Sequence, residues 1–207
     1  MKSVVIEEPG RLVVAERTLP QPAPGEVRVK VAYASICGSD VHIWHGHNPF
    51  AKYPRVIGHE FFGVIDAVGH GVDTARLGER VAVDPVVSCG SCYPCSVGRP
   101  NVCTTLQVTG VHRDGGFSEY ALTPANNAWR LPDTIPDQLA SLVEPFTIAA
   151  NITAFLRPQP DDVALIYGAG PMGLTAIQVL KGVYKVKKVM VVDRLPERLA
   201  LAEQSGA

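Results

Sequence analysis

Alternating apolar and polar residues are the main pattern over roughly the first 85 residues of the chain. In residues 27–31 every second position is valine and the positions between are basic, which is the period of a half-buried β-strand. Apolar runs at 60–68 and 79–83, with glycine and aspartate between them, predict further strands. Several short strands at this spacing predict a β-sandwich or a barrel.

The pattern changes to that of helices and a parallel sheet after Pro136. Residues 136–157 are apolar around much of a helical circumference, which predicts a buried helix with a neighbouring helix. A short apolar run at 163–167 then leads into the glycine-rich turn 168–173, a helical stretch and a second apolar run at 189–192. This order of strand, glycine turn, helix and strand predicts one βαβ unit.

Composition indicates a globular protein that does not bind nucleic acid. Apolar residues make up 46% of the 207 residues, charged residues make up 19%, and the net charge is −1. That charge gives no field that would attract nucleic acid or an anionic membrane. Acidic residues occupy the N-terminal segment where a signal peptide would be apolar, and no run approaches the ~20 apolar residues of a membrane span. We therefore expect a cytoplasmic protein whose five cysteines are reduced.

Residues 88–104 have no hydrophobic period and contain four of the five cysteines. Their spacing, C-x2-C-x2-C-x7-C, matches the all-sulfur tetrahedral coordination of a structural zinc ion. The metal would supply the folding free energy that this polar loop lacks. An iron–sulfur cluster and disulfides are the alternatives, although the last spacing and the reducing compartment argue against them. The predicted ligands are Cys89, Cys92, Cys95 and Cys103.

A second metal site is a weaker prediction from the residues alone. Cys37 follows the strand at 27–31, and by itself it is better explained as a small buried apolar residue than as a metal ligand. His59 and Glu60 precede another strand, where such a pair is commonly only hydrogen-bonded. Glu144 lies in an apolar run, where a carboxylate needs a cation, a hydrogen-bond donor or a helix N-terminus. A sulfur, an imidazole and a carboxylate would make an open zinc site.

The glycine turn has the spacing of a dinucleotide-binding fingerprint. Its three glycines would form the tight turn, admit the pyrophosphate and pack helix on strand. The acid that ends the next strand would bind the ribose hydroxyls and favour NAD over NADP, although it also suits a simple turn. The arginine after it could accept a 2′-phosphate. The candidate cofactor-binding residues are Gly168, Gly170, Pro171, Met172, Gly173, Asp193 and Arg194.

Two aromatic segments have no assigned chemistry. Trp44, His45 and His47 could line a substrate cleft, but a polar loop with one aromatic anchor fits them equally well. Phe61 and Phe62 follow Glu60 directly, and we expect them in the apolar core.

Several motifs, taken together and in this order, resemble the zinc-containing medium-chain dehydrogenases. They are CGSDVH at 37–42, GHE at 58–60, the four cysteines and GAGPMG at 168–173. The resemblance covers nearly the whole chain, and VEP at 143–145 resembles the polyol and sugar-acid branch. It implies a mixed β and α/β fold. A GroES-like β-barrel catalytic domain would span 1–156, and an incomplete Rossmann NAD-binding domain, truncated at 207, would begin at 157.

The resemblance also implies a role for each candidate residue. Cys37, His59 and Glu144 would hold a catalytic zinc, with Glu60 exchanging with Glu144 or acting through water. Asp40 would accept a hydrogen bond from the His59 ring and fix its tautomer. Ser39 and His42 would relay the proton that the substrate releases. The four clustered cysteines would hold the second, structural zinc.

The implied protein is a zinc-dependent oxidoreductase that oxidises a secondary alcohol of a polyol or a hexonate with NAD. Its partners would be a small-molecule substrate and further copies of itself, as a dimer or tetramer, with no nucleic acid or membrane. Two other readings remain. One is a non-catalytic, zinc-stabilised truncated or regulatory relative. The other is a zinc-free quinone reductase of the same superfamily, against which Cys37, His59 and the clustered cysteines argue.

Overall fold

The computed structural model describes residues 1–207, which pack as two compact units, Met1–Leu142 and Val143–Ala207. The domain boundary predicted between residues 156 and 157 remains a prediction. The first unit contains ten strands and three short α-helices. They are β1 (Lys2–Glu8), β2 (Arg11–Glu16), β3 (Glu26–Ser35), α1 (Gly38–Trp44), β4 (Arg55–Val56), β5 (Glu60–Val68), β6 (Arg80–Val83), β7 (Val86–Val87), α2 (Tyr93–Ser96), β8 (Gln107–Val108), β9 (Tyr120–Pro124), β10 (Ala128–Arg130) and α3 (Asp137–Ala140).

The strands of the first unit form three antiparallel sheets. The largest has five strands in the order β10-β6-β5-β3-β9. A second sheet has the order β2-β1-β4, and β7 pairs with β8 in a two-stranded ribbon. In the large sheet β3 pairs with β5 along most of its length, from Val27 opposite Val68 to Ser35 opposite Glu60. That register places the end of β3 beside the start of β5. The segment that follows Ser35 and the segment that precedes Glu60 are therefore neighbours where they leave the sheet.

The inner face of the five-stranded sheet carries the main core of the first unit. Val27 and Val29 are fully buried there, and Phe61 is 1% exposed, as the sequence pattern predicts. Burying one such side chain stabilises the fold by about 1.5–3 kcal/mol. Alternation wrongly predicts a solvated position for Arg28, which is only 8% exposed. Its guanidinium donates to both carboxylate oxygens of Asp66 at 2.9 and 3.0 Å, and this pairing makes burial of the charge tolerable.

A second apolar cluster lies behind the segment that follows Cys37. Its buried members are Ile6, Ile43, Ile57 and Val111, with Phe117 packed against them. The hydroxyl of Tyr53 donates to the carbonyl of Ile43, which ties the loop after α1 back to the helix. The cluster therefore fixes α1 against the segment that precedes β5.

The second unit contains the predicted βαβ arrangement. Its elements are α4 (Val143–Leu156), β11 (Val163–Tyr167), α5 (Pro171–Gly182), β12 (Lys188–Val192) and α6 (Pro196–Gln204). β11 and β12 are parallel, with Val163 opposite Lys188 and Tyr167 opposite Val192. Ile177 and Leu180 of α5 are buried against this pair of strands. No helix in the chain combines the length and the apolar character that crossing a bilayer requires.

Candidate metal centres and dinucleotide turn

Cys37 is positioned by the helix that it starts. It is the N-cap residue of α1, with extended backbone geometry at φ −90° and ψ 154°. Its backbone N–H donates to Oδ2 of Asp40 at 2.9 Å, which places an acid in the first turn of the helix. An acid at this position satisfies a backbone donor and complements the positive end of the helix. The local sequence C-G-S-D is thus sufficient to hold the thiol at the helix start.

Asp40 also joins this helix to the segment that carries His59. The Asp40 side chain is only 2% exposed, and its Oδ1 accepts from the backbone N–H of Gly58 at 3.2 Å. The same oxygen lies 3.5 Å from Nδ1 of His59, at the outer limit of a hydrogen bond. The predicted role of Asp40 beside the His59 ring therefore has a geometric basis. With Nδ1 facing a carboxylate, Nε2 is the ring nitrogen left for a metal.

Gly58 gives the chain room to make this approach. Its φ is +93°, a value that residues with a side chain rarely adopt. A Cβ at this position would lie 2.3 Å from the ring of Phe117, so a larger residue cannot fit without movement of the ring. Sequence reasoning placed Gly58 in a motif but assigned it no function. The positive φ and the close approach of the Phe117 ring show that its function is to let the backbone fit at this place.

Cys37, His59 and Glu60 bring their ligand atoms together within 4.8 Å of one another. The side chain of His59 is 12% exposed and Glu60 is 7% exposed, while Cys37 is half-buried. Ligand atoms of one tetrahedral zinc ion lie roughly 3.3–3.8 Å apart, so movements of about 1 Å bring the three donors to coordination distance. Sulfur, imidazole and carboxylate are donors that zinc accepts, and the residues present fit this metal.

The Cys37–His59 pair has the electrostatics of a metal-ligand site. A hydrogen bond with His59 is the main cause that lowers the pKa of Cys37, against the opposing effect of burial. Burial lowers the pKa of His59, but Asp40 and Cys37 outweigh burial and raise that pKa to about 10. The pair therefore favours the thiolate that a metal requires. Because a bound metal takes the place of the ring proton, metal binding releases a proton here.

The other residues predicted around this site lie at the two ends of α1 and at the start of α4, and their roles remain predictions. Ser39 is half-buried in the first turn of α1, and its hydrogen bonding to Cys37 helps to lower the pKa of the thiol. His42 is exposed in the last turn of the same helix. Glu144 belongs to the second unit, where it is half-buried in the first turn of α4. The position of Glu144 agrees with the preference of acids for helix N-termini.

The four clustered cysteines converge on one point in the first unit. Their sulfur atoms all lie within 4.8 Å of one another, and no disulfide joins any of them. The Sγ atoms of Cys92 and Cys95 are 3.4 Å apart, and those of Cys92 and Cys103 are 3.8 Å apart. Backbone N–H groups of Cys89 and Cys92 point at the sulfurs of Cys103 and Cys89, each at 3.3 Å. Such N–H···S contacts stabilise negative charge on sulfur, so the group fits a zinc ion with four thiolates.

The thiols of this group differ in how readily they ionise. Backbone hydrogen bonds from Ser91 and Cys92 lower the pKa of Cys89 to about 5. Desolvation raises the pKa of Cys95 to about 12, and the neighbouring Cys92 adds to the increase. Four thiolates in this volume require a cation, because they repel one another. One divalent ion would offset that repulsion.

The glycine turn of the second unit has the geometry of a phosphate-binding loop. Gly168 has φ +103°, and the turn leads to Gly170, the N-cap of α5. A Cβ on Gly170 would meet no atom within 4 Å, so this backbone faces open space where a phosphate could approach. A Cβ on Gly173 would lie 2.0 Å from the carbonyl oxygen of Gly168, so only glycine permits this helix packing. Pro171 and Met172 begin α5, and Met172 is 41% exposed. These residues fit a bound dinucleotide.

Asp193 is held against the same turn. Its Oδ2 accepts from the N–H of Ala169 at 2.8 Å and its Oδ1 from the N–H of Leu195 at 2.9 Å. These amides, that of Ala169 first, lower the pKa of Asp193. Arg198 lies 3.9 Å from Oδ2, and Arg194 is exposed beside it. Asp193 thus organises the turn, and the carboxylate oxygens keep further lone pairs for a ribose hydroxyl.

Comparisons with known proteins agree with this architecture. A family model described as "Alcohol dehydrogenase GroES-like domain" matches residues 23–133. Starvation-sensing protein RspB of Escherichia coli K12 is 68% identical over 207 residues, which are 100% of this chain and 61% of that protein. L-galactonate-5-dehydrogenase of Escherichia coli K12 is 41% identical over 199 residues, which are 96% of this chain and 57% of that protein.

A solved structure shows the same fold at high similarity. It is rspB from Escherichia coli CFT073, an alcohol dehydrogenase complexed with NADH, with a TM-score of 0.95 and 67% identity. The match covers 100% of this chain and 60% of that one, so the chain spans about three fifths of its relatives' length. The predicted GroES-like unit followed by the beginning of a Rossmann fold is confirmed. The chain therefore belongs to the alcohol dehydrogenase GroES-like family, among the zinc-containing medium-chain dehydrogenases.

Proposed function

We propose that the protein carrying this chain is a zinc-dependent oxidoreductase that oxidises a secondary alcohol of a polyol or sugar acid with NAD. The observation that carries the proposal is the convergence of Cys37, His59 and Glu60 within 4.8 Å. Support for the substrate class comes from a relative named L-galactonate-5-dehydrogenase. Support for the cofactor comes from the related structure complexed with NADH.

The catalytic zinc would be held by Cys37 and His59, with a carboxylate as the third protein ligand. Glu144 and Glu60 are the two candidates for that carboxylate, and Glu60 is the one whose oxygen lies near Cys37 and His59 within the first unit. When bound, the zinc supplies a Lewis acid that lowers the pKa of a coordinated hydroxyl group. The segment 88–104 that carries the four clustered cysteines is called the cysteine lobe. Its cysteines at 89, 92, 95 and 103 would hold a second, structural zinc.

Residues of α1 would handle the proton that the substrate alcohol releases. Asp40 holds the His59 ring in one orientation through the charge on Oδ1. The hydroxyl of Ser39 would take the proton near Cys37, and the imidazole of His42 would deliver it to solvent. This order follows the helix from its half-buried start at Cys37 to its exposed last turn.

The glycine turn and Asp193 would hold the nicotinamide cofactor. Gly170 leaves space for the pyrophosphate, and the first turn of α5 offers backbone N–H groups to it. Asp193 would accept hydrogen bonds from the ribose hydroxyls and repel a 2′-phosphate, which favours NAD. Arg194 and Arg198 beside it would weaken that preference rather than reverse it, because the carboxylate lies closest to the turn.

A substrate panel tests this proposal. The zinc-loaded protein is mixed with NAD or NADP and with alditols and aldonates, and the absorbance of the reduced nicotinamide is followed. We expect turnover with NAD on at least one secondary alcohol, and loss of that turnover in Cys37→Ala at an unchanged melting temperature. Zinc bound only by the four clustered cysteines, with no reduction of either cofactor, would instead support a non-catalytic relative.

A further inference from the structure

Three exposed histidines form a compact imidazole group at the end of α1. The ring centroids of His42 and His47 are 6.1 Å apart, and those of His45 and His47 are 5.6 Å apart with the rings nearly parallel. Trp44 lies 4.6 Å from the ring of His45. All four side chains are exposed, so their polar edges are available to a ligand. Neither metal site uses His45 or His47.

Backbone hydrogen bonds hold this group in place. The N–H of His47 donates to the carbonyl of His42 at 2.8 Å, and the N–H of His45 donates to the carbonyl of Val41 at 3.0 Å. The N–H of Gly10, in the turn between β1 and β2, donates to the carbonyl of Trp44 at 2.7 Å. The loop is therefore ordered before any ligand binds, which lowers the entropy cost of binding there.

The electrostatics around the group suit an anion. Residues 41–59 contain four histidines, Lys52 and Arg55 but no aspartate or glutamate. In the β1–β2 turn, Arg11 lies 2.8 Å from Glu7 and 3.8 Å from Glu8, so its charge offsets one of these two carboxylates. Arg55 is itself paired with Asp114 at 3.2 Å, so the imidazoles are the groups that remain to receive an anion. Imidazole N–H groups and ammonium groups bind carboxylates and phosphates through charge-assisted hydrogen bonds.

The group lies at a useful distance from the metal ligands. Cys37 is the N-cap of α1, and His42 and His45 follow it by five and eight residues. At a rise of ~1.5 Å per residue, His42 and His45 lie roughly 8 and 12 Å farther along the helix axis, and the His47 ring lies beside both. An open-chain sugar derivative with its alcohol at the metal site would extend over a comparable distance. One end of such a substrate could thus reach His45 and His47.

We propose that His45 and His47 form a subsite for the anionic end of the substrate, a carboxylate or a phosphate monoester. The juxtaposition that carries this proposal is two ordered, exposed imidazoles in the loop that directly follows the helix starting at Cys37. The proposal rests on the proposed function, because it places the reacting alcohol at the metal. Among the polyols and sugar acids of the proposed function, it selects the compounds that carry a terminal anion.

The first test compares three substrates of equal carbon number: an aldonate, an alditol phosphate and the neutral alditol. In the double variant His45→Gln, His47→Gln, the ratio of kcat/KM for the preferred anionic substrate over the neutral alditol should fall about tenfold or more. Which anion shows the fall identifies carboxylate or phosphate as the group bound. His70→Gln is the matched control, since His70 is an exposed histidine outside this segment, and the ratio should not change.

The second test measures binding without turnover. Trp44 is next to His45, so in a Trp129→Phe background its fluorescence should change when an aldonate or an alditol phosphate binds. The His45→Gln, His47→Gln double variant should bind the same anion about tenfold more weakly. An unchanged substrate ratio and unchanged binding in the double variant would overturn the subsite while leaving the dehydrogenase function standing. If no alcohol is oxidised but the wild-type protein binds the anion through these histidines, the proposed function fails, and the histidines form an anion-binding site that is not a substrate subsite.

Discussion

The two candidate metal centres of the first unit are built in opposite ways. The four clustered cysteines all lie between residues 89 and 103, and only Cys103 among them is buried. The open site instead joins Cys37, at the end of β3, to His59 and Glu60, at the start of β5. Its neighbours in sequence, Ile43, Phe61 and Phe62, are among the most deeply buried residues of the chain. The first centre is specified by local sequence, and the second by the packed sheet.

This difference has a thermodynamic consequence. A loop that buries little apolar surface depends on its metal for folding, because the metal supplies the free energy that packing does not. A site built on paired strands and a capped helix keeps its shape through the apolar core, whether or not a metal is bound. Loss of metal should therefore unfold the lobe at 88–104 but leave the open site almost unchanged. The predictions below test that contrast, in order of decreasing effect.

The largest effect is expected from Cys103→Ser. Cys103 is the buried ligand of the lobe, and its sulfur accepts the N–H of Cys89. Loss of one thiolate should lower the free energy of unfolding by more than about 3 kcal/mol and the melting temperature by about 10 °C. Thermal unfolding followed by circular dichroism measures this change. Cys37→Ala is the control, and a similar fall in that variant would remove the contrast between the centres.

Gly58→Ala should affect the open site through the fold. The new methyl group would meet the ring of Phe117, and φ at this position is +93°. Strain and overpacking together should cost about 2–4 kcal/mol. Gly71→Ala is the matched control, because Gly71 also has a positive φ, +82°, but open space around it. Equal losses of melting temperature in the two variants would mean that the Phe117 contact contributes nothing.

Asp40→Asn should weaken metal binding at the open site more than it weakens the fold. An amide can still accept a hydrogen bond from Gly58 or Cys37, but it loses the charge that orients the His59 ring. Zinc affinity at this site should fall about 10- to 100-fold, as for other residues that support metal ligands. Competition with a chelator of known affinity measures it. Asp133→Asn, on an exposed side chain, should leave the affinity at its wild-type value.

The smallest effect is expected from Ser91→Ala in the lobe. The Ser91 hydroxyl lies 3.7 Å from the sulfur of Cys89, which also receives the backbone N–H of Cys92 at 3.3 Å. Because the backbone contact remains, stability should change by no more than about 0.5 kcal/mol. A chemical denaturation curve suffices to check it. A loss several times larger would mean that the lobe depends on side-chain contacts as well as on its metal.

The same contrast explains what the sequence could predict. The spacing of the lobe cysteines predicts their convergence, because all four ligands lie on one short loop. Spacing does not bring Cys37 to His59, since their meeting depends on the β3–β5 register, and only family resemblance joined them in advance. Alternation placed Val27 and Val29 correctly but misplaced Arg28, because a period of two does not show an ion-pair partner such as Asp66.

Other features were beyond sequence reasoning for a similar reason. The contact between Gly58 and Phe117 joins residues far apart in the chain. Glu144 was singled out because it is a carboxylate in an apolar run, and its place in the first turn of α4 also suits a helix-start acid. Its role as a zinc ligand stays a prediction.

Zinc content per chain tests the central claim most directly. The claim is that Cys37, His59 and Glu60 form a second metal site, independent of the cysteine lobe. Native mass spectrometry of the zinc-loaded protein should show two zinc ions in the wild type, and one in a Cys37→Ala variant that remains folded. A wild-type protein with a single zinc, or a Cys37→Ala variant that keeps both, would contradict the account.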